Sequence, residues 1–495
     1  MASASTTSNE AQLREPPTTW QNVKFFLSAV PKLPLVVRVT LLHVLGRSEP
    51  AKYLDLRSEL TVAVLRSFLQ PTKPRSISST QRLVVRDQGI KGRIWVANYA
   101  APAPPDPDVL DVLVAAIEGL HDTSSPPVEI PRPRITAVEA EWTGYRANAT
   151  GDARLPPLSA RELFDEMQKE VSSPVTVLYL HGGAYYVGDP CTHRAVTKKL
   201  AKITGGRCYS VRYRLAPQNP FPAALLDALV SYMALLYPPP DAYHTPVAPE
   251  HVVIAGDSAG GNLSLALLQT ILELRRQGRQ IRWFGADYEI PLPAGAAVCS
   301  PWMDITVSSP SWQANQAFDY LPPASKYHDI KYPPCGAWPA NPPRRHLYVA
   351  DGLVAHPLVT LVMARDWTGA PPVYLCTGWE LLADEDKSAA RTLHSQGVRV
   401  VFEEYEAMPH CFAMVLPQSP NARRCFDAWA GFIKDLVVKG AEAVESKAVM
   451  IKARTSEEVV LDFSSLGCDA EEMRGRVLAH LSDARDVPPE IMAKL

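Results

Sequence analysis

Six short runs of apolar and β-branched residues recur between positions 176 and 406: TVLYLHGG (176–183), RCYSVRYR (207–214), HVVIAGDS (251–258), AGAAVCSP (294–301), PPVYLCTG (371–378) and VRVVFEEYE (398–406). Most of them end in a polar or glycine-rich turn. Between several lie stretches whose apolar residues repeat at helical spacing, such as AALLDALVSYMALLY (223–237) and GNLSLALLQTILELRRQ (261–277). This alternation predicts βαβ crossovers and a mostly parallel sheet covered on both faces. Reactive groups in such sheets belong at the carboxyl ends of the strands. Upstream, RIWVANY (93–99) and ITAVEAEW (135–142) predict two further strands, separated by proline-rich loops around a short helix at 109–120. The stretch 308–346, rich in proline and tryptophan, breaks the alternation and reads as an excursion over one face. After Ala441 the sequence is charged and helix-prone and carries no motif.

Composition narrows the function classes. The 495 residues are 46% hydrophobic and 21% charged, the balance of a chain with a large core. A net charge of −2 leaves no electrostatic footprint for nucleic acid. Eight cysteines are scattered without a C-x-x-C pair or metal-ligand spacing, so neither a disulfide framework nor a metal site is expected, and a reducing, cytoplasmic setting is the default. The first twenty residues lack an apolar core, which argues against a secretory signal. From Lys24 to Leu45 the chain is apolar but interrupted by Pro31, Lys32, Pro34 and Arg38, so a spanning helix is not expected. Two readings stand for this segment: a helix packed as part of a cap, or an interfacial helix in peripheral contact with an intracellular membrane.

The chemistry concentrates at three strand ends. HVVIAGDS runs into a helix through Gly256-Asp257-Ser258-Ala259-Gly260. A serine on a sharp strand-to-helix turn is held above the sheet, and only glycines beside it let strand and helix approach. Ser258 is therefore the expected nucleophile. TVLYL leads into His181-Gly182-Gly183-Ala184, where backbone N–H groups can face a tetrahedral anion unobstructed. Gly182 and Gly183, with Ala259, are the expected oxyanion donors, while His181 is read as a loop anchor.

The base must follow the nucleophile in this order of motifs. His410 lies in a loop after VRVVFEEYE and a Met408-Pro409 turn. His356, His394 and His480 lack such a setting. Glu380, Asp384, Glu385 and Asp386 all follow PPVYLCTG; Glu380 comes directly after the terminal turn and is favoured as the acid, with Asp384 the alternative.

HGGAYYVG, YRLAPQNPFPAALLDAL (213–229), GDSAGGN, GWELLADE and MPHCFAMV, in that order, resemble the hormone-sensitive lipase family of α/β-hydrolases over about 171–429. SPSWQANQAFDYLPP and WPANPPRR look like its longer fungal members. The resemblance implies an α/β fold with a mostly parallel eight-stranded sheet, flanking helices and a helical cap. The chain divides into an N-terminal helical or cap region over 1–80 that is a candidate for membrane association, a catalytic domain over 81–440 with a cap excursion around 305–350, and a helical tail of unassigned role over 441–495. The implied activity is serine ester hydrolysis by Ser258, Glu380 and His410, without cofactor or metal; separately, Trp302, Trp312, Tyr320, Trp338 and adjacent prolines suggest a small to medium apolar ester such as an acetylated sterol or secondary metabolite, with ordinary packing as the other reading of these aromatics. Acyl transfer, amide hydrolysis or a non-catalytic receptor are the competing readings. Ala184, Glu380 and Cys411 depart from the residues common in the family.

Overall fold

The computed structural model describes residues 30–485 apart from 72, 86, 88, 123–127 and 328–330, so the expectations placed on Lys24 to residue 29 lie outside the described residues. The main sheet is built from β1 (Ile94–Ala101), β2 (Val138–Tyr145), β3 (Thr176–Leu180), β4 (Arg207–Val211), β5 (Val252–Asp257), β8 (Gly295–Cys299), β9 (Val373–Gly378), β10 (Val400–Tyr405), β11 (Lys447–Ile451) and β12 (Glu458–Val460). A separate hairpin, β6 (Gln280–Trp283) and β7 (Ala286–Glu289), lies between β5 and β8 in the chain. The spatial order is β1-β2-β4-β3-β5-β8-β9-β10-β11-β12. Pairing from β4 through β11 is parallel, and the outer pairs β1/β2, β2/β4 and β11/β12 are antiparallel.

Before the sheet come α1 (Leu33–Val44), α2 (Leu56–Leu69) and α3 (Ile77–Val84), and α4 (Asp108–Leu120) connects β1 to β2. The crossover helices are α5 (Ala160–Glu170), α6 (Pro190–Thr204), α7 (Ala223–Leu236) and α8 (Ala259–Arg276). Two one-turn pieces, α9 (Ser311–Ala314) and α10 (Ala324–Tyr327), lie in the excursion. Then follow α11 (Ala383–Ser395), α12 (Phe412–Val415), α13 (Pro420–Lys439) and α14 (Ala470–Arg485). The boundaries follow local chemistry: α5 opens on a capping box of Ser159 and Glu162, and α6 starts at an Asp189 cap and stops at Gly205 in the left-handed region.

Strands β3, β5, β8, β9 and β10 are buried along their whole length, which is why all but β10, with its Glu403 and Glu404, read as nearly continuous apolar runs. One sheet face packs on α4, α7 and α8, the other on α6 and α13. This double cover fixes the carboxyl ends of β5, β9 and β10 relative to one another.

The sheet has ten strands where eight were expected, and both additional strands, β11 and β12, come from the tail. KAVMI adds to β10 in parallel, with Ala448, Val449 and Ile451 buried. The charged residues around it are interstrand partners: Lys447 lies 4.0 Å from Glu403, and Lys452 is 2.9 Å from Glu406. A five-residue strand bracketed by lysines gives too short an apolar signal to separate from helix-prone sequence. The tail thus joins the catalytic sheet, with only α14 helical in the expected sense, and α3 runs across the boundary expected at residue 80.

The excursion is tied to the N-terminal helices. Arg66 of α2 donates through Nε to the Asp319 carbonyl at 2.8 Å and through Nη2 to the carbonyls of Gln316 and Ala317 at 2.8 and 3.1 Å. Tyr53 sets its ring edge-on against Phe318 and Trp379. Trp302 and Trp312, which the sequence leaves open between substrate-facing cap aromatics and ordinary packing, are buried in the main core. Among the described residues no helix is long and apolar enough to cross a membrane.

Candidate active site

Ser258 sits between β5 and α8 with φ +53° and ψ −123°. The flanking glycines are required by space. A Cβ on Gly256 would lie 2.4 Å from the Gly260 carbonyl oxygen, and one on Gly260 would lie 2.0 Å from that of Leu180. The Ser258 N–H is held by the Cys299 carbonyl of β8 at 3.1 Å, so the elbow is fixed by the neighbouring strand end. The strained serine backbone persists because the surroundings leave it no alternative.

Three distant side chains meet here. His410 Nε2 is 2.9 Å from Ser258 Oγ, and His410 Nδ1 is 2.8 Å from Glu380 Oε2. The other Glu380 oxygen accepts the Thr377 hydroxyl at 2.6 Å, so both carboxylate oxygens are engaged and the residue is fully buried. Burial alone would lower the His410 pKa, but the adjacent Glu380 carboxylate, with Asp319 behind it, more than offsets this and holds it above the ordinary histidine value. Asp384, the alternative acid, is turned away: it opens α11, stands partly exposed and lies 3.9 Å from Lys387. Glu385 accepts the Met303 and Asp304 N–H groups, and Asp386 is buried.

Asp319 was not singled out in the sequence. It lies in the excursion and is buried, and its carboxylate accepts the Leu381 N–H at 2.8 Å and the His410 N–H at 3.3 Å. One side chain therefore ties the acid loop to the base loop. An acidic residue within the aromatic run AFDYL was the signal available. We expect Asp319→Asn, which replaces one acceptor oxygen by a donor, to lower kcat about 10- to 100-fold with little change in KM. It also removes a nearby negative charge, so the acid limb of kcat/KM moves to lower pH, a shift that loop damage alone would not produce. A pH–rate profile of the variant checks both.

The HGG turn departs from expectation at one residue. The Gly182 N–H donates to Asp257 Oδ1 at 3.1 Å, which removes it from the expected oxyanion set. Burial opposes the Asp257 charge, but His193 and the Tyr179 hydroxyl, 2.6 Å from Oδ1, hold its pKa below the ordinary carboxylate value. The Gly182 contact is thus a charge-assisted one within the fold. Beyond it the chain turns through Gly183, Ala184 and Tyr185 at φ +118°, +49° and +63°. A Cβ on Gly183 would lie 2.2 Å from the Val187 carbonyl oxygen. Among the described residues no acceptor faces the Gly183 or Ala184 N–H.

His181 is buried, stacks on Tyr213 with ring centres 4.3 Å apart, and places Nδ1 2.8 Å from the Gly182 carbonyl oxygen. Burial, with His193 beside it, lowers its pKa to about 4, so it is neutral at physiological pH. His356 is hydrogen-bonded to the Ile117 carbonyl, and His394 stacks on Phe463. Cys411 has φ +49°, and its Sγ lies 3.4 Å from His410 Nε2. Unlike the expectation of no metal-ligand grouping, Cys299, Cys376 and Cys425 converge in the core with their sulfurs within 4.8 Å of one another. They come from two strands and a helix, so linear spacing does not show them.

A family profile described as alpha/beta hydrolase fold matches residues 177–414. An acetyl-hydrolase of Streptomyces hygroscopicus is 30% identical over 266 residues, 54% of this chain and 77% of that protein. The chain belongs to the hormone-sensitive lipase family of α/β-hydrolases. An esterase of Acinetobacter venetianus is 29% identical over 273 residues, 55% of this chain and 78% of that protein. Among solved structures, an esterase from the bacterial hormone-sensitive lipase family superposes with a TM-score of 0.52 at 22% identity, over 78% of this hydrolase and 99% of that chain, a likeness of fold. The two aligned relatives are bacterial and do not speak to the fungal likeness expected for the excursion. The family profile spans Ser258, Glu380, His410 and the HGG turn, and leaves out α1, α2, α3 and the tail.

Proposed function

We propose that this carboxylic ester hydrolase works through an acyl-serine intermediate on Ser258, with His410 as general base and acid and Glu380 as its orienting carboxylate. The observation that carries the reading is the unbroken chain of contacts from Ser258 Oγ to His410 Nε2 and from Nδ1 to Glu380, at 2.9 and 2.8 Å. His410 takes the hydroxyl proton as Oγ attacks the ester carbonyl, and the C=O π pair moves onto oxygen. The Gly183, Ala184 and Ala259 N–H groups receive that oxyanion, at the N-terminus of α8. Collapse breaks the ester C–O bond, and the alcohol leaves with the proton from His410. Water then gives a proton to His410 as its oxygen bonds to the acyl carbon, and collapse breaks the Oγ–acyl bond, releasing the acid while His410 returns the proton to Ser258 Oγ.

The substrate in this reading is a short-acyl ester of an apolar alcohol, in the class of acetylated sterols or secondary metabolites. Two observations support it. The Cys411 side chain stands 3.4 Å from His410 Nε2, where its bulk sits beside the reacting atoms and favours a short acyl group. The aligned Streptomyces relative is named an acetyl-hydrolase. On a p-nitrophenyl ester series, kcat/KM is expected to be at least about tenfold higher for acetate and butyrate than for decanoate. Preference for decanoate, or for charged hydrophilic esters, would reject the substrate class.

A further inference from the structure

Helix α1 has no buried residue along its 12 positions. Leu33, Val37, Leu41, Val44 and Leu45 are between 57% and 73% exposed, and their spacing sets them on one stripe along the helix. The opposite side is used up by α2, which runs antiparallel to it. His43 Nδ1 meets Glu59 near one end of the pair, and Lys32 Nζ reaches the Ser67 carbonyl at 3.0 Å near the other. Exposed Phe68 and Leu69 extend the apolar surface at that second end, where Lys32 lies over the Phe68 ring.

The charges around this stripe have one sign. From Pro16 to Ser48 the sequence has no Asp or Glu, while Lys32, Arg38 and Arg47 in and beside the helix are cationic. Arg38 borders the stripe and is exposed, and among the described residues neither Arg38 nor Arg47 has an acidic partner. We propose that α1 is a docking surface for an anionic lipid bilayer, its aliphatic stripe entering the headgroup boundary and its cations meeting lipid phosphates and carboxylates. An interfacial helix needs this combination of apolar stripe and flanking cations. A second copy of the chain fits less well. Five partly exposed aliphatic side chains on a single helix fall short of the roughly 800 Å² per partner of a stable interface, and two cationic faces would repel.

The surface is coupled to the reaction site by contacts already described. Arg66, one residue from Ser67 on α2, holds the carbonyls of Gln316, Ala317 and Asp319, and Asp319 ties the Glu380 and His410 loops. Docking through α1 is therefore linked, by way of α2, to the loops that carry Glu380 and His410. Binding itself does not depend on the acyl-serine chemistry.

The test is co-sedimentation of the full chain with phosphatidylcholine vesicles containing or lacking one quarter phosphatidylserine, at low and high salt. The expected result is binding that requires phosphatidylserine and weakens in high salt. Val37→Asp with Leu41→Asp should weaken binding at least about tenfold, and Arg38→Glu about fivefold. Hydrolysis of a water-soluble acetate ester should be unchanged in both variants, which shows that they fold. Deletion of residues 1–29 should leave binding in place. Failure of the wild type to bind either vesicle, or variants that bind like the wild type, would overturn the proposal. So would a dimer in solution that Val37→Asp with Leu41→Asp dissociates, or binding lost only on deleting residues 1–29.

Discussion

Ser258→Ala is expected to reduce kcat on a soluble acetate ester by about 10⁴- to 10⁶-fold, with KM changed only a few-fold. The magnitude follows from geometry. The hydroxyl is held 2.9 Å from His410 Nε2 on a turn whose glycines admit no other packing, so its loss removes the attacking oxygen from the one position fixed for it. His410→Ala is expected to cost a similar factor, because an unassisted serine hydroxyl is a weak nucleophile. The double variant should be about as slow as either single one, since the two act as a unit. What activity remains comes from the oxyanion donors and from binding. Steady-state kinetics of the three variants, each checked for an unchanged thermal transition, read this directly. Additive losses in the double variant would show that the two side chains act separately.

The second large effect separates two carboxylates four positions apart. Glu380→Gln is expected to lower kcat about 10³- to 10⁴-fold, because the amide no longer fixes the imidazole tautomer or stabilises its charged form. Asp384→Asn should stay within about twofold, since that side chain is partly exposed beside Lys387. The pH profile adds an independent sign. His410 must be neutral to accept the serine proton, so kcat/KM falls as pH drops through its pKa. In the wild type that pKa lies above the ordinary histidine value because Glu380, helped by Asp319, outweighs burial. With Glu380 neutralised, burial dominates and the acid limb moves to lower pH. A Glu380→Gln profile with an unmoved limb, or a large loss in Asp384→Asn, would remove Glu380 from the proposed role.

Where signals were local, the sequence was readable. The central strands β3, β5, β8 and β9 are buried on both faces and so appear as nearly continuous apolar runs, and the elbow shows itself because glycine is demanded at Gly256 and Gly260 by clashes with Leu180 and with each other. Glu380 and His410 were legible as polar residues just past β9 and β10, the ends that a parallel sheet brings side by side. What depended on three-dimensional convergence was not. Gly182 was assigned to the oxyanion because glycine spacing does not reveal that its N–H turns towards Asp257. Asp319 was passed over because its two partners lie 62 and 91 residues away. The tail strand β11 was read as helix-prone because its lysines find acids on β10 and in the turn after it only once the sheet is formed.

The central claim is that Ser258 Oγ forms a covalent bond to the acyl carbon with help from His410. The most direct measurement is peptide mass spectrometry after reaction with an active-site fluorophosphonate, run on the wild type and on His410→Ala. We expect a single adduct on Ser258 that forms in step with loss of esterase activity, and labelling slowed by at least about 10³-fold in His410→Ala. An adduct on a different residue, or full esterase activity with no adduct on Ser258, would contradict the account.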